Sequence, residues 1–302
     1  MRAFSGKAGI IGGWLLALLL LGGCSAVRIG YNQAPTLAWW WLDSYMDFDA
    51  EQAPRVKGAL EQWFAWQRRT QLADYAELLA AAQTQVMQPA TPQQICRWSD
   101  ELRTRAATAL AHGVPLAAEL LPALKPAQLV HLEERYRKAN RDFADDFLQQ
   151  PDERLKASAK RAIDRAEMLY GRLDTKQRQL VAAGVAASPF DAELWFAERQ
   201  AVQGETLRTL SRLTAGGPAR ADRESSLAGL EALAARVLRA PPGPYRDYQQ
   251  RLIDYNCAFV AQLHNSTTPA QRQAARERLK GWEDDLRALA AQQAPLRVAT
   301  SP

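Results

Sequence analysis

The feature that most restricts the fold is a helix-start signature that recurs along the chain. Thr91-Pro92-Gln93-Gln94, Ser188-Pro189-Phe190-Asp191 and Thr268-Pro269-Ala270-Gln271 each set a Ser or Thr before a proline, with Gln or Asp three residues after the hydroxyl. The hydroxyl can accept from the third backbone N–H, proline suits the first helical position, and the longer side chain can reach back to the cap. Lys125-Pro126-Ala127-Gln128 and Asp174-Thr175-Lys176-Gln177 are looser versions. Between these marks run apolar seams at threes and fours: Leu129, Leu132, Tyr136, Ala139, Phe143, Phe147; then Tyr245, Tyr248, Leu252, Tyr255, Phe259; then Leu279, Trp282, Leu286, Leu289. That is helix spacing, and strand-type alternation between turns is missing. The reading is all-α, a multi-helix bundle of long antiparallel helices. It predicts helices over 54–87, 92–111, 126–149, 152–172, 175–187, 189–214, 220–239, 244–265 and 269–293, with a short turn near 115–121. Gly/Pro-rich loops fall at 215–219 and 240–244.

The first residues have a different character. Arg2 and Lys7 precede a charge-free run from Ala8 to Val27, closed by Leu21-Gly22-Gly23-Cys24-Ser25. A basic start, an apolar stretch and small residues before a cut site make a secretory signal peptide. The cysteine directly after the cut resembles the lipobox of bacterial lipoproteins. That resemblance implies removal of residues 1–23, a diacylglycerol on the Cys24 thiol and acylation of the new amine. The alternative is an uncleaved membrane anchor. Either way the positive-inside tendency leaves Arg2 and Lys7 cytoplasmic and sends the body outward. Ser25, by analogy with lipoproteins generally, points to the outer membrane, facing the periplasm.

The predicted organisation is a signal peptide at 1–23, a lipidated tether at 24–35, one helical domain at 36–294 and a frayed tail at 295–302. Arg2 and Lys7 are two of the 38 Lys and Arg, so the exported part stands at 36 against 33 Asp and Glu. These charges are interspersed, whereas nucleic-acid binding needs them clustered on one face; no nucleic-acid partner is expected. Three cysteines occur. With Cys24 taken by lipid, Cys96 and Cys257 remain, and an exported compartment permits a disulfide between them. The alternative is two buried thiols packing as small apolar groups. Trp39, Trp40, Trp41 and Tyr45 follow the tether. Neighbours on a helix are about 100° apart, so three tryptophans in a row cannot share a face. They are either membrane-proximal aromatics in the headgroup zone or the core of a helix capping the bundle.

The chain is poor in recognisable chemistry. His112, His131 and His264 are its only histidines, and HExxH, CxxC, ExxH, Gly-x-Ser-x-Gly and Walker A patterns are all missing. Acidic neighbours such as Glu133-Glu134 and Asp284-Asp285 point to different sides of a helix. They are expected to pair with nearby cations, Glu133 with Arg137 for example. Asn140 and Asn256 sit inside apolar seams and would need partners if buried. No catalytic, cofactor-binding or metal-binding residue is assigned, no small-molecule substrate is identified, and an enzyme is not expected.

Tyr31-Asn32, then Trp39-Trp40-Trp41-Leu42-Asp43-Ser44-Tyr45 and Asp47-Phe48-Asp49, resembles the start of a family of Gram-negative lipoproteins catalogued only as a domain of unknown function. Tyr75-Ala-Glu-Leu-Leu, Asn140-Arg-Asp-Phe and Trp282-Glu-Asp-Asp-Leu-Arg are similar to it too. The resemblance implies an exported helical lipoprotein and brings no substrate. Two functional classes follow: a membrane-anchored structural or interaction protein of the cell envelope, with membrane lipid and an envelope protein as partners, or a periplasmic chaperone or envelope-stress factor. The second draws on Leu124-Lys-Pro-Ala-Gln128, Leu173-Asp-Thr-Lys-Gln177 and Thr268-Pro-Ala-Gln-Arg272, which resemble the Leu-Thr-x-x-Gln signatures of small helical periplasmic chaperones. Capping boxes explain the same residues.

Overall fold

The computed structural model describes residues 26–215 and 223–292. The signal peptide, Cys24, most of the 215–219 loop and the 295–302 tail lie outside them. Among the described residues there are eleven α-helices and no strand: α1 Ala26–Met46, α2 Gln52–Thr70, α3 Leu72–Gln85, α4 Pro92–Ala118, α5 Pro126–Phe147, α6 Pro151–Tyr170, α7 Thr175–Ala186, α8 Ala192–Thr214, α9 Arg223–Leu238, α10 Pro244–Asn265 and α11 Pro269–Ala291. One 3₁₀ turn, Leu121–Ala123, joins α4 to α5. The all-α bundle read from the periodicity is the observed fold.

Several local expectations need correction. Residues 26–34 are not an extended tether but the first turns of α1, with Pro35 inside the helix. Proline there forfeits one N–H, and packing makes good the loss. The Tyr31 ring stands edge-on to Phe64 at 6.0 Å, its hydroxyl donates to the Phe64 carbonyl at 3.3 Å, and Arg68 lies over it at 5.1 Å. The predicted helix over 54–87 is interrupted at Gln71. The Thr70 hydroxyl donates back to the Trp66 carbonyl at 2.9 Å, an arrangement that bends helices. α4 runs on through Pro115 instead of stopping at 111. Ser188 does not cap α8. Its hydroxyl accepts from Phe190 N–H, and Asp191 caps the helix by accepting from Leu194 N–H at 2.8 Å. Tyr248 hydroxyl meets Asp191 N–H at 2.9 Å, fixing that residue as the entry. Arg137 pairs with Glu134 at 3.9 Å, not with Glu133.

α4 packs against α2, α9 and α10; α11 runs along α3, and α5 packs on α1 and α8. The core is divided into three small clusters, around Val86, Tyr170, Ala275 and Leu279; around Ala166, Leu173, Val181 and Leu263; and around Leu121, Leu132 and Leu210. Full burial of side chains such as Leu72, Leu173 and Leu289 contributes about 1.5–3 kcal/mol each. Gly184 lets α7 close on α10: a Cβ there would sit 2.2 Å from the Phe259 ring.

The helix starts are also tied to one another in pairs. Asp49-Ala50-Glu51-Gln52, a box that sequence reading missed, meets Lys125-Pro126-Ala127-Gln128, and Asp174-Thr175-Lys176-Gln177 meets Thr268-Pro269-Ala270-Gln271. In every box the Gln Oε1 accepts from the N–H three residues before it: Asp49, Lys125, Asp174 and Thr268, at 2.9–3.1 Å. The amide nitrogen then crosses to the partner box. Gln52 and Gln128 bond each other reciprocally at 2.9 Å, and Gln177 and Gln271 do so at 2.7 and 2.9 Å. The remaining amide proton of Gln52, Gln271 and Gln177 goes to the carbonyl two residues ahead of the partner box, at Ala123, Arg172 and Ser266, and that of Gln128 is shared between the Met46 carbonyl at 2.8 Å and the Asp47 carbonyl at 3.2 Å. A primary amide has two donors and two acceptor lone pairs, and here all four are used.

Candidate functional site

Cys24 lies outside the described residues. Cys96 and Cys257 are bonded, with Cα atoms 5.4 Å apart, joining α4 to α10 across 161 residues of sequence. The three tryptophans divide. Trp39 turns inward onto Phe48, ring centres 5.7 Å apart, with the Lys57 ammonium 4.6 Å above it. Trp40 and Trp41 are each 61% exposed, so the buried-core reading does not hold for them. α1 has no fully buried residue at all. It ends where Asp47 takes a left-handed conformation, φ 49°, and Phe48 N–H is caught by the Asp43 carboxylate at 3.1 Å.

Trp41 stacks obliquely on Tyr45 at 5.1 Å, and Tyr45 leans on Tyr136 of α5 at 6.2 Å. This ladder forms one wall of an open groove of about 600 Å³ between α1, α5, α8 and the α9–α10 corner. Trp195 and Val237, 44% and 64% exposed, and Tyr245 carry the apolar surface to the far side. Sequence reading picked out Trp41 and Tyr45 as site candidates, placed Tyr245 in an apolar seam, and singled out neither Trp195 nor Val237. These come from helices with no common register, and the one local signal was the apolar run Leu194-Trp195-Phe196.

The charged groups in the groove, Glu198, Arg199 and Arg236, are already engaged. Arg236 reaches Glu198 at 2.6 Å and Glu205 at 3.1 Å; the Glu198 hydrogen bond holds its guanidinium above the ordinary value. Asn140, the seam residue expected to need partners, accepts from Arg199 at 2.9 Å and exchanges hydrogen bonds with Gln203 at 2.7 and 3.1 Å. It ties α5 to α8 under the groove. Carboxylates spent on arginine and an amide spent on its neighbours leave an aromatic surface suited to binding.

The one buried histidine is also fully engaged. His264 sits between the Tyr170 hydroxyl at 2.9 Å and the Gln88 carbonyl at 2.7 Å. A carbonyl only accepts, so Nε2 carries the proton and Nδ1 takes the Tyr170 hydroxyl's. Burial holds His264 below the ordinary histidine value and pushes Tyr170 up to about 12. Cys257, seven residues earlier in the chain, has its sulfur in the disulfide. His112 stacks on Trp66 at 3.8 Å, and His131 faces the Ser44 carbonyl at 3.2 Å. Among the described residues no group of three or more His, Cys, Asp or Glu side chains could hold a metal ion, and no helix is long and apolar enough to cross a membrane.

A family model described as a family of unknown function, DUF6279, matches residues 44–224. The matched span opens at the end of α1 and contains three of the four paired glutamine boxes, leaving out the one at Thr268. No curated protein and no solved structure matches the chain.

Proposed function

The chain belongs to that family of unknown function, and we propose that it is an exported, lipid-anchored helical protein of the cell envelope, non-catalytic, held at the outer membrane and facing the periplasm. The observation that carries this reading is Cys24, placed directly after an apolar run closed by Gly22-Gly23 and two residues before α1 begins. A helix start so close to the anchor leaves no long stalk, so the body works against the lipid surface. Two further features support export and binding. The Cys96–Cys257 bridge suits an oxidising compartment, and the groove offers exposed aromatics with its ionic groups already paired. Mass spectrometry of the protein isolated from envelopes tests it. The N-terminus is expected at an acylated Cys24, with Cys24→Ala leaving residues 1–23 attached. An intact N-terminus with a bare thiol, or recovery in the cytosol, would end the reading.

The groove also favours a second reading, a periplasmic chaperone that shields apolar segments of unfolded chains, since an exposed apolar concavity is what such a role requires. Light scattering of an unfolding client decides it. Suppression at equimolar ratio that is lost with Trp41→Ser and Trp195→Ser supports chaperoning, and unchanged aggregation removes it.

A further inference from the structure

Only Ser25 separates Cys24 from α1, and the outward side of that helix carries no charge. At 100° per residue, Ile29, Gln33, Leu37, Trp40, Trp41 and Ser44 fall within a stripe about 120° wide. The large apolar members are strongly exposed: Ile29 56%, Leu37 52%, Trp40 and Trp41 61% each. The two charged residues of α1 lie off the stripe and are engaged elsewhere, Arg28 with Asp285 of α11 at 3.5 Å and Asp43 with the Phe48 N–H. Tyr31, Trp39 and Tyr45 occupy the inner side, against the bundle.

A free membrane-surface helix needs a charged face opposite its apolar one. In α1 the opposite face is the bundle itself, which removes that requirement. The helix has 21 residues, about 30 Å at 1.5 Å per residue. The lipidated cysteine is at one end and the paired indoles near the other. Lying flat, it keeps both ends at the same depth, with the tryptophans at the headgroup level they favour.

Resting on the lipid-anchor reading, we infer that the Ile29–Leu37–Trp40–Trp41 stripe of α1 is a docking face for the bilayer that holds the Cys24 acyl chains. The body is then oriented, not dangling. The aromatic groove, which shares Trp41 with the stripe, opens at the membrane edge, where an apolar segment leaving or entering lipid would meet it.

Cys24 is the only cysteine outside the disulfide, so the mature chain from Cys24 onward can be coupled chemically to vesicles. The test uses phosphatidylcholine vesicles doped with a maleimide-headgroup lipid, with and without acyl chains brominated near the headgroup. Eight tryptophans follow Cys24. Bromination is expected to lower total emission by up to roughly a quarter, the share of two interfacial indoles. Trp40→Phe/Trp41→Phe should abolish that difference while the far-ultraviolet circular dichroism stays unchanged, and Trp195→Phe should retain it. Leu37→Asp should reduce it with both indoles present. Equal emission in the two lipids for the parent protein, or quenching that survives in the double variant, would overturn the docking face. Because the coupling is chemical, that failure is separate from failure of the lipoprotein reading, which shows in the mass of the mature N-terminus.

Discussion

The two glutamine-paired junctions are wired alike and built differently. Gln52–Gln128 joins the α1–α2 turn to the α4–α5 connection; Gln177–Gln271 joins the α6–α7 turn to the α10–α11 turn. At the second, Asp174 and Thr268 both cap their helices, accepting from Gln177 and Gln271 N–H at 2.8 and 3.2 Å. It is flanked by the fully buried Leu173 and by Tyr170–His264. At the first, Lys125 stands in the capping position with no acceptor to offer. Its ammonium instead meets Asp49 at 2.7 Å, which holds the Asp49 carboxyl below the usual range. That junction borders an open cavity of about 660 Å³ lined by Asp49, Gln52, Arg55 and Lys125. Closely similar amide bonding therefore serves a doubly capped joint with one buried glutamine, Gln177, in one half, and an ion-paired joint with two, Gln52 and Gln128, in the other.

The largest test acts on the bridge between the two regions. Cys96→Ala/Cys257→Ala is expected to cost about 2–5 kcal/mol and to split a single denaturant transition into two, because α4 and α10 then lose their covalent link. A single unsplit transition would mean that the junctions share one cooperative unit. Gly184→Ala, which drives a methyl into Phe259 beside the doubly capped joint, should cost about 1–3 kcal/mol by chemical denaturation.

Removing one amide at each junction compares them directly. Gln128→Leu strands the buried Gln52 amide and is expected to cost about 2–3 kcal/mol. Gln177→Leu, where the orphaned Gln271 is only half-buried and water can reach it, should cost about 1–2 kcal/mol. Equal losses would show that solvent access does not distinguish the joints.

Acid should act on the doubly capped joint first. His264 is held below its ordinary value, so as pH falls below about 6.5 the unfolded chain takes up a proton before the folded one, and stability declines. Above about pH 10 the unfolded chain loses the tyrosine proton that Tyr170 keeps until about 12, and stability declines again. His264→Gln should flatten the acid limb of a pH series of thermal midpoints. The smallest change is Lys125→Thr, which supplies the missing cap; a slight rise in thermal midpoint is expected.

How much of this was legible followed the range of the interactions. Thr91, Asp174 and Thr268 were readable as caps because donor and acceptor lie three residues apart. The seams predicted α5, α10 and α11 nearly to their ends for the same reason. The helical state of residues 26–34 was not readable, since Tyr31 reaches Phe64 and Arg68 only after α1 and α2 have packed. Nor was the inward turn of Trp39 against the outward set of Trp40 and Trp41, which depends on where the bundle lies. The groove joins Trp41, Tyr136, Trp195 and Val237 from four helices, and no local pattern links them.

Consecutive residues were enough to dictate that this chain would be helical, where most helices begin, and that an apolar run ends at a cysteine. Capping, proline geometry and three-four spacing act within one or two turns, so they are written in consecutive residues. Packing between distant helices set which glutamines clasp each other, which indoles face outward, and which cysteine and histidine have their chemistry already occupied. Those outcomes depend on contacts between residues tens to hundreds of positions apart, which exist only once the chain has folded.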